Sequence, residues 1–290
     1  MDLVSNHYGD KLCNPGNRSE QMTAEVATNG DSFQKYLDMQ SHFERYTANN
    51  VLLIMAQNPD AQKIGDYGYW RDKGAYVKRQ EKGNPILILE PGKEYEREDG
   101  SIGTYYNAKK LYDISQTTIR EMAQSPEEIT DEQLVRAVVN NPPVAIVPAE
   151  ADQMPKDMGA FFEQDEDCIY VRKGMDAQQI FRSIVPELVF AGFAGGNRNY
   201  ERDEDAFHAY CATYILCKKY SVDTKGFDFS HVAEFFEGME PQEVRGELSK
   251  VRNAANDISS RMEKALDRNR NQFRKHPVPS QSKDEKAEDR

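Results

Sequence analysis

The string FRSIVPELVFA over residues 181–191 holds Glu187 with Pro186 before it and Phe190 three places after it. Aligned on that glutamate, Pro186 and Phe190 take the ligand positions of an H-E-x-x-H helix. In such a helix two imidazoles one turn apart hold Zn²⁺ and the glutamate deprotonates the bound water. Neither replacement has an atom that binds metal, so Glu187 is left as a vestigial base. Pro186 also lacks a backbone N–H and biases Val185 away from helical backbone, which predicts a kink or a restart of the helix there.

The other groups that could ligate or catalyse are scattered. His208 and Cys211 lie three apart on one predicted helix and, with Glu187, would make a mixed ligand set. They support an alternative, a zinc metallopeptidase with unconventional ligands. His7, His42, His231 and His276 show no ligand spacing. Cys13, Cys168, Cys211 and Cys217 contain no C-x-x-C and read as reduced, mostly buried thiols. No G-x-S-x-G, P-loop or G-x-G-x-x-G string occurs, so these signatures give no support for acyl transfer, nucleotide hydrolysis or dinucleotide chemistry. No cofactor and no metal are expected.

The elements that must position these groups follow from apolar period and turn chemistry. Residues 1–30 are polar, with the turn cluster Asn14, Pro15, Gly16 and Asn17, and read as a flexible arm. From Phe33 apolar residues recur at helical spacing, and a compact run follows at residues 51–55 before Asn58 and Pro59, so two packed helices are predicted. The segments AYVKRQ, PILILEP and TYYNAKKLYDISQT, with corners at Gly83–Asn84 and Asp99–Gly100, predict a small antiparallel sheet. A helix start near Ser125 and Pro126 opens a second unit: a helix over 131–140, the strand VAIVP, a hairpin ending in CIYVR, the helix bearing PELVF, and a helix over 203–220. Val244, Leu248, Val251, Ala255, Ile258, Met262 and Leu266 mark a last helix by spacings of three and four. The fold class is thus α+β in two domains, 31–125 and 126–240, each a small antiparallel or mixed sheet packed with helices. A C-terminal helix at 241–275 and a disordered tail at 276–290 follow.

The chain of 290 residues carries a net charge of −12, with the acid excess concentrated in residues 126–240 while 31–125 is close to neutral. No stretch approaches the roughly 20 apolar residues of a spanning helix and the N-terminus MDLVSNHYGD is polar, which predicts a cytoplasmic protein without a membrane partner.

A family resemblance is carried by YTANNVLLIMAQNPDA at Tyr46, YGYWRDKGAYVKRQEKGNPILILEP at Tyr67 and YDISQT at Tyr112. Over residues 31–118 these resemble the N-terminal domain of ArdC-type antirestriction proteins of conjugative plasmids and transposons. That family's strings run approximately Y-S-x-x-N-x-L-L-I-x-x-Q-x-P, W-x-x-x-G-x-x-V-K-K-G-E-K-G-I-x-I-L-x-P and F-D-I-S-Q-T. The second half is similar to the family's zincin-like domain: the hairpin and helix over GAFFEQDEDCIYVRKGMDAQQIFRSIVPELVFA match the segment bearing H-E-L-A-H-A. The third ligand's glutamate registers near His208 or Tyr210, so all three ligand positions depart from the pattern.

The resemblance implies a first domain that binds single-stranded DNA with little sequence preference, beside a peptidase-like domain without metal or catalysis, on a bacterial mobile element. Such binding needs cations that track phosphates and aromatic faces on which bases stack. The candidate contacts are Arg45, Tyr46, Asn50, Gln57, Trp70, Arg71, Lys73, Lys78, Arg79, Lys82, Lys109 and Lys110, with Lys63, Tyr67, Tyr69, Tyr105 and Tyr106 nearby. Asn50 and Gln57, seven apart, share a helix face and suit either a backbone or a nucleic acid. Ser115, Gln116 and Thr117 read first as a cap or turn. The expected partners are single-stranded DNA and a restriction or conjugation protein. A third possibility the residues leave open is a protein-interaction module that touches no DNA.

Overall fold

The computed structural model describes residues 15–97, 99–119, 129–197 and 199–275. The first element corrects the flexible arm expected over 1–30. From Pro15 the chain is helical, α1 (Pro15–Thr28), while residues 1–14 lie outside the described ones. Its buried stripe, Ser19, Thr23 and Val26 with Met22 packed beside them, has helical spacing. Two of the four are small hydroxyl residues, and so no apolar period shows in the sequence. Thr23 Oγ1 donates to the Ser19 carbonyl at 2.6 Å, and Ser19 Oγ donates to Asn49, so neither hydroxyl is buried without a partner.

Helix α2 (Gly30–His42) starts at Asn29, whose side chain accepts from Ser32 N, and α3 (Ala48–Gln57) starts at Thr47 in the same way. A short strand β1 (Ile64–Gly65) and helix α4 (Tyr67–Asp72) lead to the long antiparallel hairpin β2 (Ile86–Glu96) and β3 (Ile102–Asp113). The sheet order is β1-β3-β2, which leaves β2 at an edge. AYVKRQ does not form the expected strand: Val77 makes a single bridge to Thr117, and Arg79–Glu81 is a 3₁₀ turn. Val77 belongs instead to a small cluster with Trp70, Ala75 and Tyr112 under α4.

The helix start expected near Ser125 and Pro126 lies outside the described residues. Helix α5 (Asp131–Val138) begins with a Thr130–Gln133 capping box. Strands β4 (Ala145–Ala149), β5 (Ala160–Glu163) and β6 (Cys168–Arg172) form a second sheet, β4 parallel and β5 antiparallel to β6. An antiparallel sheet in the first half and a mixed one in the second make the α+β architecture. Helix α6 (Ala177–Ala194) has the Asp176–Gln179 capping box read from the sequence and ends at Gly195 in the left-handed region (φ 51). Pro186 does not break it: α6 is a single helix through that position. α7 (Ala206–Lys219), the short α8 (Val232–Phe235) and α9 (Pro241–Lys275) follow.

One main core joins the two units. Val26, Phe33, Tyr36 and Leu37 of α1 and α2 pack in the same cluster as Tyr214, Phe229, Phe236 and the seven-residue stripe of α9 from Val244 to Leu266. The Phe33 ring lies 5.4 Å from Phe229 and 5.9 Å from Phe236. A Cβ at Gly30 would sit 2.6 Å from the Phe229 carbonyl, so the start of α2 requires glycine to approach that backbone. The stripe that could have paired α9 with a second copy is spent on its own chain.

Candidate functional site

Three of the expected DNA contacts are used inside the protein. Trp70 is buried, and its indole N–H donates to the Tyr112 carbonyl at 2.9 Å, so its ring is a plug of the α4 cluster and not a stacking platform. Asn50 and Gln57 each make a two-way amide pair with the free edge of β2. Asn50 donates to Leu89 O and accepts from Leu89 N, both at 2.9 Å. Gln57 does the same with Leu87, also at 2.9 Å each way. These side chains act as a substitute strand along β2, so the amide edge that reads a backbone is used inside the protein.

The YDISQT motif is structural as well. Buried Asp113 accepts from Gln62 N at 2.8 Å, Lys63 N at 3.0 Å and Ser115 N at 2.9 Å, while Gln116 Oε1 accepts from Asp113 N. Thr117 Oγ1 donates back to Ile114 O. Asp113 thereby fixes the backbone that presents Lys63.

What converges is a cleft of about 400 Å³ between the α2–α3 loop and the β1–β3 side of the sheet. Arg45 and Tyr46 line it from the loop, Lys63 from the residue before β1, Tyr69 from α4 and Lys109 from β3. Gly65 also lines the cleft, and a Cβ there would meet the Tyr69 ring at 2.1 Å, so glycine lets that ring approach β1 closely. Lys109 is held by Glu90 at 2.8 Å and lies 4.0 Å from Asp66, and the bond to Glu90 raises its pKa and keeps it cationic. Burial raises the pKa of the Tyr46 phenol, which therefore stays neutral as a donor and as a flat apolar face. Among the described residues no carboxylate lies within ion-pair distance of Arg45 or Lys63. All five are among the cations and aromatics that the sequence offers, Arg45, Tyr46 and Lys109 as candidate contacts and Lys63 and Tyr69 beside them. Glu44 and Asp66, which also line the cleft, are not among the sequence candidates; Asp66 is the N-cap of α4.

The remaining cations lie elsewhere. Along β3, Tyr106, Ala108, Lys110 and Tyr112 alternate to the face opposite Lys109 and Leu111. Tyr67 packs tilted against Tyr112, ring centres 4.8 Å apart, and the Tyr112 hydroxyl donates to the Lys82 carbonyl. Lys78 donates to Ser115 O at 2.8 Å. Arg71, Lys73 and Arg79 are exposed around α4 and the 3₁₀ turn. Lys109 and Lys110 thus lie on opposite faces of the sheet, and Arg71, Lys73, Lys78, Arg79 and Lys82 are not among the residues that line the cleft.

In the second half Glu187 is buried and fully engaged. One carboxylate oxygen accepts from Phe162 N at 2.8 Å, and the other pairs with the Arg202 guanidinium at 2.9 Å. That guanidinium lies 4.3 Å from the centre of the Phe190 ring, a cation–π contact. A cation from the protein itself therefore stands against Glu187, above the side chain that replaces the second histidine. His208 is turned to other partners: Nε2 is 2.6 Å from Glu247 Oε2 and Nδ1 is 3.0 Å from Asp205 Oδ1. Burial pushes the pKa of the Cys211 thiol far up. Glu187, His208 and Cys211 do not form a ligand set, and among the described residues no three His, Cys, Asp or Glu side chains converge as one. The residues around Glu187 do not fit a metal.

The family described as the N-terminal domain of anti-restriction factor ArdC matches residues 17–134. No curated protein matches the sequence. Among solved structures, the Mn(II)-bound antirestriction ArdC protein from the R388 plasmid aligns at 12% identity with a TM-score of 0.50, over 88% of this chain and 98% of that one. The metal-free structure of that protein aligns at 14% identity with a TM-score of 0.46, over 76% and 86%. Residues 17–134 thus match the ArdC N-terminal domain, on a chain whose fold is similar to that of the R388 antirestriction ArdC protein.

Proposed function

We propose that this chain binds single-stranded DNA in the cleft of its first half, with Arg45, Lys63 and Lys109 on phosphates and Tyr46 and Tyr69 against bases. The observation that carries this reading is that those five residues line one cleft, within the segment matched to the ArdC N-terminal domain. Backbone cations and flat rings give affinity without base readout, consistent with binding to many sequences. The second half acts in this reading as a peptidase-like scaffold without metal or hydrolysis, supported by the Glu187–Arg202 pair over Phe190. Its acid excess repels the strand and keeps it on the first half. The role is to accompany the DNA of a mobile element in the bacterial cytoplasm, as an antirestriction or transfer accessory, with a restriction or conjugation protein as partner. No described helix is long and apolar enough to cross a membrane.

The test is fluorescence anisotropy with a labelled single strand over a range of salt. For single strands log K falls against log[salt] by about 0.7 per phosphate contact. Arg45→Glu/Lys63→Glu should weaken binding and flatten that slope, whereas Lys78→Glu/Lys82→Glu, on the other side, should do less. The opposite ranking would move the site to the Lys82 face. Absence of salt-dependent binding in the wild type, or hydrolysis of a protein substrate that a chelator abolishes, would overturn the reading.

A further inference from the structure

The loop that carries Arg45 and Tyr46 into the cleft is held from the other half of the molecule. Its Glu44 carboxylate meets Lys219 Nζ at the end of α7 and accepts from Ser259 Oγ on α9 at 3.3 Å. The Glu44 carbonyl accepts from Arg252 Nε at 3.3 Å and Asn256 Nδ2 at 3.0 Å, also on α9. Lys219 continues to Glu263 Oε1 at 2.7 Å. Arg252, Asn256, Ser259 and Glu263 are spaced by four, three and four, one polar stripe down α9. Main-chain and side-chain atoms of one loop residue are therefore gripped together, directly before the two residues that face the cleft.

We propose that Glu44, Asn256 and Lys219 are positioning residues, through which α7 and α9 set the placement of Arg45 and Tyr46 and so the affinity of the cleft for a nucleic-acid strand. The inference rests on the cleft being the DNA site, and it makes that site a property of both halves. Charge and position act with opposite sign here. Glu44 lines the cleft, so by Coulomb's law its removal would strengthen phosphate binding. If its role is to hold the loop, its removal weakens binding instead.

The experiment is the same anisotropy titration on the full chain with Glu44→Ala, Asn256→Ala and Arg45→Ala, singly and with Arg45→Ala combined with each of the others. Expected are weaker binding for Glu44→Ala and a salt slope lower by about 0.7, the share of one phosphate contact. Arg45→Ala should cost much less affinity in the Glu44→Ala or Asn256→Ala background than in the wild type, a coupling that general destabilisation does not produce. Asn256→Ala changes no charge and carries the test if Glu44→Ala lowers the melting temperature. If Arg45→Ala weakens the wild type while Glu44→Ala and Asn256→Ala bind equally or more tightly, the positioning role falls and the cleft stands. If the wild type itself shows no salt-dependent binding, the cleft falls first.

Discussion

Arg202 is the residue on which the second half turns. A carboxylate held in an apolar helix bundle is costly unless it is paired and hydrogen-bonded, and burial is the largest influence on Glu187, raising its pKa against the opposing pull of Arg202. Removing the guanidinium would leave a buried charge with one backbone donor. Loss of one partner of a buried pair costs ~3–5 kcal/mol, and because Arg202 is about a third exposed, about 2–3 kcal/mol is expected for Arg202→Met. The pH dependence follows from the direction of the shift. A folded pKa above the unfolded one means the folded state keeps a proton that the unfolded state has lost, so the contribution of Glu187 to stability falls as pH rises from the ordinary carboxylate range upward. Without Arg202 that window widens. The deficit of Arg202→Met, measured by denaturant unfolding, should therefore be smaller at about pH 4 than at about pH 7; a deficit independent of pH would show that packing on Phe190, and not charge, is what Arg202 supplies.

At the scale of elements, the amide pairs of α3 on β2 show how one sequence pattern serves two purposes. Asn50 and Gln57 share a face because seven residues make two turns, and that spacing suits a DNA backbone and a strand edge equally well. In the structure both amides lie on the strand edge, where among the described residues no further strand pairs with β2. Gln57→Ala would leave Leu87 N–H and C=O without partners in a half-buried setting, at a cost of about 1–3 kcal/mol. A lower melting temperature with unchanged DNA affinity is expected, and a large loss of affinity at unchanged stability would return Gln57 to the contact set. The same logic explains what could be read from the residues. α9 was legible because seven apolar positions keep one period, and α6 because Asp176 and Gln179 make a capping box. α1 was not, because hydroxyls fill its buried stripe, and AYVKRQ was misread because Val77 belongs to an irregular cluster around Trp70 and not to a sheet. The cleft was half legible. Residue types point to all five groups among many others, but only the register of β3 tells Lys109 from Lys110, and only the fold brings the five together.

For the molecule as a whole, the joint that a helix-start signature suggests near Ser125 and Pro126 lies outside the described residues, and the two halves on either side of it share one core. Phe33, Tyr36 and Leu37 belong to the first half by sequence, yet they pack in one cluster with Tyr214, Phe229 and Phe236 of the second, and the Tyr214 hydroxyl donates to Asp38 at 2.8 Å. Fully burying an aromatic or aliphatic side chain is worth ~1.5–3 kcal/mol. Exposing even a few of these by separating the halves would consume much of a net stability of about 5–15 kcal/mol. The fragment 17–119 should therefore lack a cooperative transition on its own, although it holds every residue of the cleft. In the intact chain Trp70, the only tryptophan, reports on the first sheet, while circular dichroism is dominated by the helices of the shared core. The two signals should give one coincident urea transition. Separated midpoints, with Trp70 fluorescence changing independently of the helices, would mean that the first sheet folds as its own unit, and the grip of α9 on the Glu44 loop would then lose its mechanical basis.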